Sequence, residues 1–372
     1  MSAVDRLGTG DLSAFWAEGP GTPFQVAVAG SLEAAPLLDA RGGLDLDRLL
    51  ADLERRTRRV PRMRQRVHWT RFGQGRPFWQ DDDSFEITRH VEHQAVPPPG
   101  DEAAWLASCA ELAVVPLRRD RPLWRLTLVT GRADGAVGLL LVVHHAMVDG
   151  LAGVATLTEL LDPAPLQAPA LPWQPKPAPV RRVLVRDAVG ERVAALLTAL
   201  RALPALPGLL RGLGATREAL STLAPTTPLS GPIGCTRRLA VVRRPLADLR
   251  AAAHATGVTV NDVVLAAVAT GLRAILLHRG VDVTGLELRA SMPVAVRGRD
   301  QNEGALVVVP LPVDEPDLPR PLARIAASTQ ALKESGDIAH ADITNSRRIH
   351  SGWRTPVSAG SGGTARAGST SS

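Results

Sequence analysis

Tyrosine is absent from this chain of 372 residues, which removes one class of catalytic acid. Cysteine occurs only as Cys109 and Cys235. That pair builds neither a metal-ligand spacing nor a disulfide framework, so a reduced, cytoplasmic compartment is the expectation. Aromatic residues make up 3% of the chain. The arginines are scattered without interleaved rings on which bases could stack, so no nucleic-acid partner is expected. No apolar run reads as a bilayer span, and Met1 to Gly10 contains no apolar h-region. A secretory signal is therefore not expected, and any membrane contact should be peripheral. There is no G-x-S-x-G elbow, no Walker loop and no G-x-G-x-x-G after a strand, so a serine nucleophile, a P-loop and a dinucleotide cradle all lack their motifs.

What is present is globular. Hydrophobic residues make up 45% and charged residues 22%, and the length allows two domains with sizeable cores. The formal net charge of +6 suits acidic substrates or an anionic lipid surface.

One stretch organises the chain: Val142-Val143-His144-His145-Ala146-Met147-Val148-Asp149-Gly150. Ala136 to Val143 is apolar at every position, as expected of a strand covered on both faces. It runs directly into two histidines, and an amphipathic helix should follow from Leu151. Histidine is the usual general base near neutral pH, and a strand end places it rigidly. Asp149 can fix the loop by capping helix amides or pairing with an arginine, and Gly150 permits a tight turn. A structural role for the histidines, and a plain capping role for Asp149, fit the sequence as well. Neighbouring strand residues point to opposite faces, so only one histidine should face a given cleft. No third ligand lies nearby, so no metal site is expected. With a base and no evident covalent nucleophile, the chemistry indicated is direct attack by a substrate hydroxyl or amine.

Around this centre the periodicity predicts further elements. A short helix capped by Asp11 or Ser13 should bury Leu12, Phe15 and Trp16, with Glu18 near its end and a strand from Phe24 to Ala29. Leu44 to Arg59 should be an amphipathic helix. Arg66 to Trp69 and Arg76 to Trp79 should form a hairpin around Gly73-Gln74-Gly75, and Phe85 to His90 a strand. Asp101 should cap a helix burying Trp105 and Cys109, and Trp124 to Thr130 should be a strand. Residues 162–180 are Pro-rich. Val183 to Leu203 is a basic, leucine-rich helix, read chiefly as a crossover packed on the domains, with interfacial binding as the lesser alternative. Further on, Arg237 to Arg243 is expected as a strand and Leu246 to His254 as a helix. Asn261 or Asp262 should start the next helix, running to Leu276. Strands are expected over Leu286 to Arg297 and Ala305 to Val313, and a last helix over Leu322 to Lys333. From about residue 340 the composition is that of a disordered tail.

These residues resemble a known family. His144-His145-Ala146-Met147-Val148-Asp149-Gly150 is similar to the HHxxxDG motif of the CoA-dependent acyltransferases, which include chloramphenicol acetyltransferase and peptide-synthetase condensation domains. Four flanking blocks resemble the bacterial wax ester synthase/diacylglycerol acyltransferase family. They are Pro122-Leu123-Trp124, Asn261-Asp262, the opening Leu12 to Phe24 with Glu18, and Met292-Pro293-Val294 to Arg297 with Asn302. The resemblance covers roughly residues 10–335 and implies an α/β fold. That fold has two chloramphenicol-acetyltransferase-like domains with mixed sheets and flanking helices, and the active site in a channel between them. It implies transfer of a long-chain acyl group from acyl-CoA to diacylglycerol or a long-chain alcohol, with acyl-CoA as substrate and no cofactor. It puts the general base on His145. His144, Asp149, Gly150, Asn261, Asp262 and Glu18 are supporting residues, and Pro122, Leu123 and Trp124 shape scaffold or acyl channel. A helix cap is an equally good account of Asn261, and ordinary core the better one for Trp124.

The expected domains are 1–162, carrying the motif, a linker with crossover helices over 163–230, a second acyltransferase domain over 231–340, and a tail over 341–372. Family members continue past this point with an N-x-P-G-P segment and further strands. Their absence sets the expectation of a truncated or frameshifted end and an incomplete second domain. A lipid-binding remnant without turnover, and transfer to another alcohol or an amine, are the alternatives. The expected location is cytoplasmic, peripheral at the inner face of the plasma membrane or at lipid droplets.

Overall fold

The computed structural model describes residues 4–19, 21–147, 159–161, 173–202, 225–295 and 304–334. Strands β1 (Gln25–Leu32), β4 (Val91–Ala95), β5 (Trp124–Thr130) and β6 (Val137–His144) form a four-stranded mixed sheet in the order β1-β6-β5-β4. β6 is antiparallel to both its neighbours, and β4 and β5 run parallel. All eight residues of β6 are buried, as its unbroken apolar run predicts for a central strand. Its odd-numbered side chains, Val137 to Val143, join Trp124, Leu126 and Leu128 in one core, with Leu53 of helix α2 (Leu46–Thr57). Leu140 and Val142 face the other way, onto Trp105 and Cys109 of helix α3 (Glu102–Ala113). Both helices start on an aspartate, Asp45 or Asp101, whose carboxylate accepts a backbone N–H of the first turn.

Helix α1 (Thr9–Ala17) and the hairpin of β2 (Gln65–His68) and β3 (Phe78–Asp81) close the end of the sheet where β6 finishes. Leu7, Leu12, Phe15, Val67, Trp79, Leu123 and Ala146 form a core there. Helix α4 (Arg181–Ala202) packs Leu184 against Phe78 and Val4.

A second, smaller unit contains helices α5 (Leu246–Thr256), α6 (Val260–His278) and α7 (Pro319–Glu334). With them runs the antiparallel pair β7 (Glu287–Ala295) and β8 (Gly304–Pro312). Ala266 and Ala269 of α6 meet Val309, Leu311 and Ile325 in its core. The molecule is thus a mixed α/β fold, as the sequence indicates.

Several expectations change. Asp11 and Ser13 lie inside α1, where Asp11 Oδ2 accepts the Gly8 N–H at 2.8 Å. Trp16 is 73% exposed, because helical spacing brings Leu12 and Phe15, and not Trp16, to the core. Phe85 to His90 contains a short 3-10 turn at Ile87–Arg89, and the strand begins only at Val91. Packing of Phe85, His90 and Trp124 as a ring stack explains the aromatic signal without a strand. Arg237 to Arg243 is exposed and pairs with no described strand; β-propensity without a partner does not make a strand. The 19 residues of α6 are long and apolar enough to cross a membrane by length and composition, contrary to the expectation that no such run exists. One face of α6 nevertheless packs on β8 and α7. The helix expected after Gly150 is described only at residues 159–161, and 163–172 of the linker, 203–224 and the tail from 335 lie outside the described residues.

Candidate active site

His144 is the last residue of β6, and His145 opens a short 3-10 turn, His145–Met147. The end of the strand therefore separates their surroundings. His144 is 2% exposed. Its Nδ1 accepts the Ala146 N–H at 3.0 Å. A neutral ring must then carry its proton on Nε2, which faces Glu18 Oε1 at 3.3 Å, close but poorly aligned for a hydrogen bond. Phe15 stacks on the ring, with centroids 4.1 Å apart. Burial pushes the His144 pKa down to about 4, against the pull of the Glu18 carboxylate and with help from Arg119 and His145. At neutral pH His144 is uncharged and its one lone-pair nitrogen is engaged. His145 is exposed. Its backbone N–H donates to Phe24 O at 3.0 Å, and its ring lies 5.0 Å from the Phe24 ring.

Glu18 connects three elements around this pair. Its Oε1 accepts the Phe24 N–H at 3.2 Å, at the entry to β1. Its other oxygen pairs with the Arg119 guanidinium, which also lies over the Phe15 ring. Arg119, Phe15 and Phe24 were not assigned roles from the sequence. The run Arg118-Arg119-Asp120-Arg121 is charged throughout, and only the fold shows which arginine reaches Glu18.

Pro122-Leu123-Trp124 is scaffold. Leu123 packs beside Phe15 and Ala146, and its carbonyl accepts the His144 N–H at 2.9 Å. Trp124 is 2% exposed, stacks on His90, and its indole N–H donates to Met63 O at 2.8 Å. The PLW stretch thus sets the backbone of the motif without lining open space.

Asn261 and Asp262 divide differently from the expectation. The N-cap of α6 is Thr259, whose Oγ1 accepts the Asp262 N–H while Asp262 Oδ2 accepts the Thr259 N–H at 2.9 Å. This reciprocal capping box leaves Asn261 with no capping duty. Asp262 is buried and also accepts the Thr329 hydroxyl at 2.8 Å. Asn261 is exposed, and its Nδ2 donates to Met292 Sδ at 2.9 Å. Asp149, Gly150, Arg297 and Asn302 lie outside the described residues. A cleft of about 760 Å³ lies away from the histidines, between the β2–β3 turn and α4, lined by Phe72, Arg76, Ala188, Glu191 and Arg192. Its size does not make it the chemical centre, since its one carboxylate, Glu191, is held by Arg76 and Arg6. Among the described residues no group of three or more His, Cys, Asp or Glu side chains is placed to hold a metal.

The mixed sheet and the histidine pair at the end of its central strand define an α/β protein of the chloramphenicol-acetyltransferase-like fold. Two solved structures share that fold. The wax ester synthase/diacylglycerol acyltransferase from Marinobacter aquaeolei VT8 is 23% identical, with a TM-score of 0.59, covering 89% of this chain and 72% of that one. The first condensation domain of the CDA synthetase is 20% identical, with a TM-score of 0.51, covering 90% and 75%. The chain belongs to the wax ester synthase/diacylglycerol acyltransferase family, whose catalytic domain is matched by residues 7–264. A Mycobacterium tuberculosis protein (strain ATCC 25618 / H37Rv) named as the diacylglycerol O-acyltransferase tgs1 is 34% identical over 292 residues, 76% of this chain and 61% of the relative. Another of that strain, named as the diacylglycerol O-acyltransferase tgs3, is 32% identical over 264 residues, 66% of this chain and 94% of the relative. A third, from strain CDC 1551 / Oshkosh and likewise named as a diacylglycerol O-acyltransferase, is 32% identical over 352 residues, 90% of this chain and 68% of the relative.

Proposed function

We propose that this chain transfers a long-chain acyl group from acyl-CoA to diacylglycerol or a long-chain alcohol, with His145 as general base. The observation that carries the assignment is the division of labour between the two histidines. His144 is buried and its Nδ1 lone pair is occupied by the Ala146 amide, so it cannot accept a substrate proton. His145 is exposed at the rigid end of a buried strand. It removes the acceptor hydroxyl proton as that oxygen attacks the thioester carbonyl. The C–O bond forms, the C–S bond breaks, and the proton passes to the departing CoA thiolate. Glu18 and Arg119 hold the strand entry and the His144 face of the motif. Asn261 is free of capping duty and available to orient a substrate, and the family relatives support the lipid acceptors. The reaction takes place in the cytoplasm, at the inner face of the membrane or at lipid droplets.

The test is ester formation from labelled acyl-CoA with diacylglycerol and with a long-chain alcohol. His145→Ala should lower the rate by about 10²–10⁴-fold with an unchanged circular dichroism spectrum. Equal ester formation by wild type and variant rejects His145 as the base.

A further inference from the structure

Helix α4 has two apolar faces. The shorter one looks inward, where Leu184 and Ala188 are buried. The helix's two acidic residues lie on that side as well. Asp187 Oδ2 accepts from Arg6 Nε at 2.7 Å, and Glu191 pairs with Arg76 at 2.9 Å. The longer face looks outward. At about 100° per residue, Val185, Val189, Val193, Leu196, Leu197 and Leu200 fall within a sector of roughly 120°, opposite the buried side. All six are between 37% and 60% exposed. Arg182 and Arg186 fall within the same sector at its N-terminal end, and Arg192 and Arg201 border it; all four are exposed. The acids are thus engaged on the body side, and the outward face is aliphatic from Val189 to Leu200, with arginines in its first turns and along its borders. A contiguous aliphatic stripe of this size on the surface signals a partner.

We propose that α4 docks the protein on an anionic lipid membrane, with the Val185 to Leu200 stripe lying in the interface and the arginines on the headgroups. Charge selects this occupant. A second copy packed stripe to stripe brings the arginine borders of both copies together, whereas an anionic surface satisfies them, and the aliphatic side chains gain from burial below the headgroups. The proposal deepens the membrane location proposed above by naming the surface that makes the contact, and it does not depend on which residue moves a proton.

The experiment is co-sedimentation of the full chain with vesicles of phosphatidylcholine alone and mixed with phosphatidylserine, at low and high salt. Wild type should bind the mixed vesicles, and more weakly at high salt. The Leu196→Ser/Leu200→Ser variant should partition at least about tenfold less, and Arg186→Gln/Arg192→Gln should lose the preference for phosphatidylserine. Both should keep the wild-type circular dichroism spectrum and melting temperature, because these side chains are exposed. His145→Ala should bind vesicles as wild type does, so failure of the acyl-transfer reading leaves this one standing. Absence of vesicle binding by wild type, or equal binding by the leucine variant, overturns the proposal. So does a wild-type dimer by light scattering that the leucine variant converts to monomer, since that assigns the stripe to a second copy.

Discussion

Burial holds the His144 ring neutral, with Nδ1 accepting from Ala146 and Nε2 turned to Glu18. This has a measurable pH dependence. The folded pKa is lowered to about 4, below the unfolded value of about 6.5. Between the two, the unfolded chain binds the proton and the folded one does not. Stability contributed by the neutral ring is therefore complete above the unfolded value and is lost as pH falls towards the folded one, by on the order of 1–3 kcal/mol. Urea unfolding midpoints followed across this window should show the loss, and His144→Gln should flatten it. An unchanged slope in the variant would mean that other groups carry the dependence. At this scale the sequence indicated that the two histidines differ, on the ground of strand alternation; the structure separates them because the strand ends at His144 and His145 opens a 3-10 turn. It did not show that Phe15 and Glu18, far away in the chain, surround one of them.

At the scale of elements, close approach and capping make separate predictions. A Cβ built on Gly138 in β6 would lie 2.8 Å from ring atoms of Trp105 on α3. Gly138→Ala should therefore cost about 1–3 kcal/mol, read as a lower unfolding midpoint, since strand and helix cannot both keep their places. Asp262→Ala removes the reciprocal cap of α6 and the partner of the Thr329 hydroxyl, and should cost about 1–3 kcal/mol. Asn261→Ala removes no cap and should stay within about 0.5 kcal/mol of wild type. Loss of ester formation by Asn261→Ala without loss of stability would assign that amide to substrate. The sequence placed this helix start to within a residue or two and chose the wrong capping residue. Thr259, Asn261 and Asp262 are all good cap formers, and only the hydrogen bonds of the folded backbone discriminate between them.

At the scale of the molecule, the motif sits in a four-stranded sheet whose two faces are covered by different cores. The smaller unit rests on one strand pair and the helices packed with it. The net charge of +6 is a long-range term that should make association with an anionic surface fall with salt. Its local expression is α4, whose arginines lie on and beside an aliphatic face while its acids are held inward. The basic, leucine-rich composition of that helix was visible in the sequence. The sequence reading favoured packing on the domains, because periodicity alone does not tell which of two apolar faces the body covers.

By itself the sequence determined the central strand, the hairpin around Gly73-Gln74-Gly75, the Asp101 helix start and the order of the family motifs. Each of these is written in residues close together along the chain, where period, cap chemistry and turn chemistry act. The tertiary structure decided which histidine lost its free nitrogen, which arginine met Glu18 and which strand-like segment found no partner. It also decided which face of α4 stayed open. Those outcomes depend on desolvation and on hydrogen-bond partners supplied by distant segments, and such partners exist only once the chain has packed.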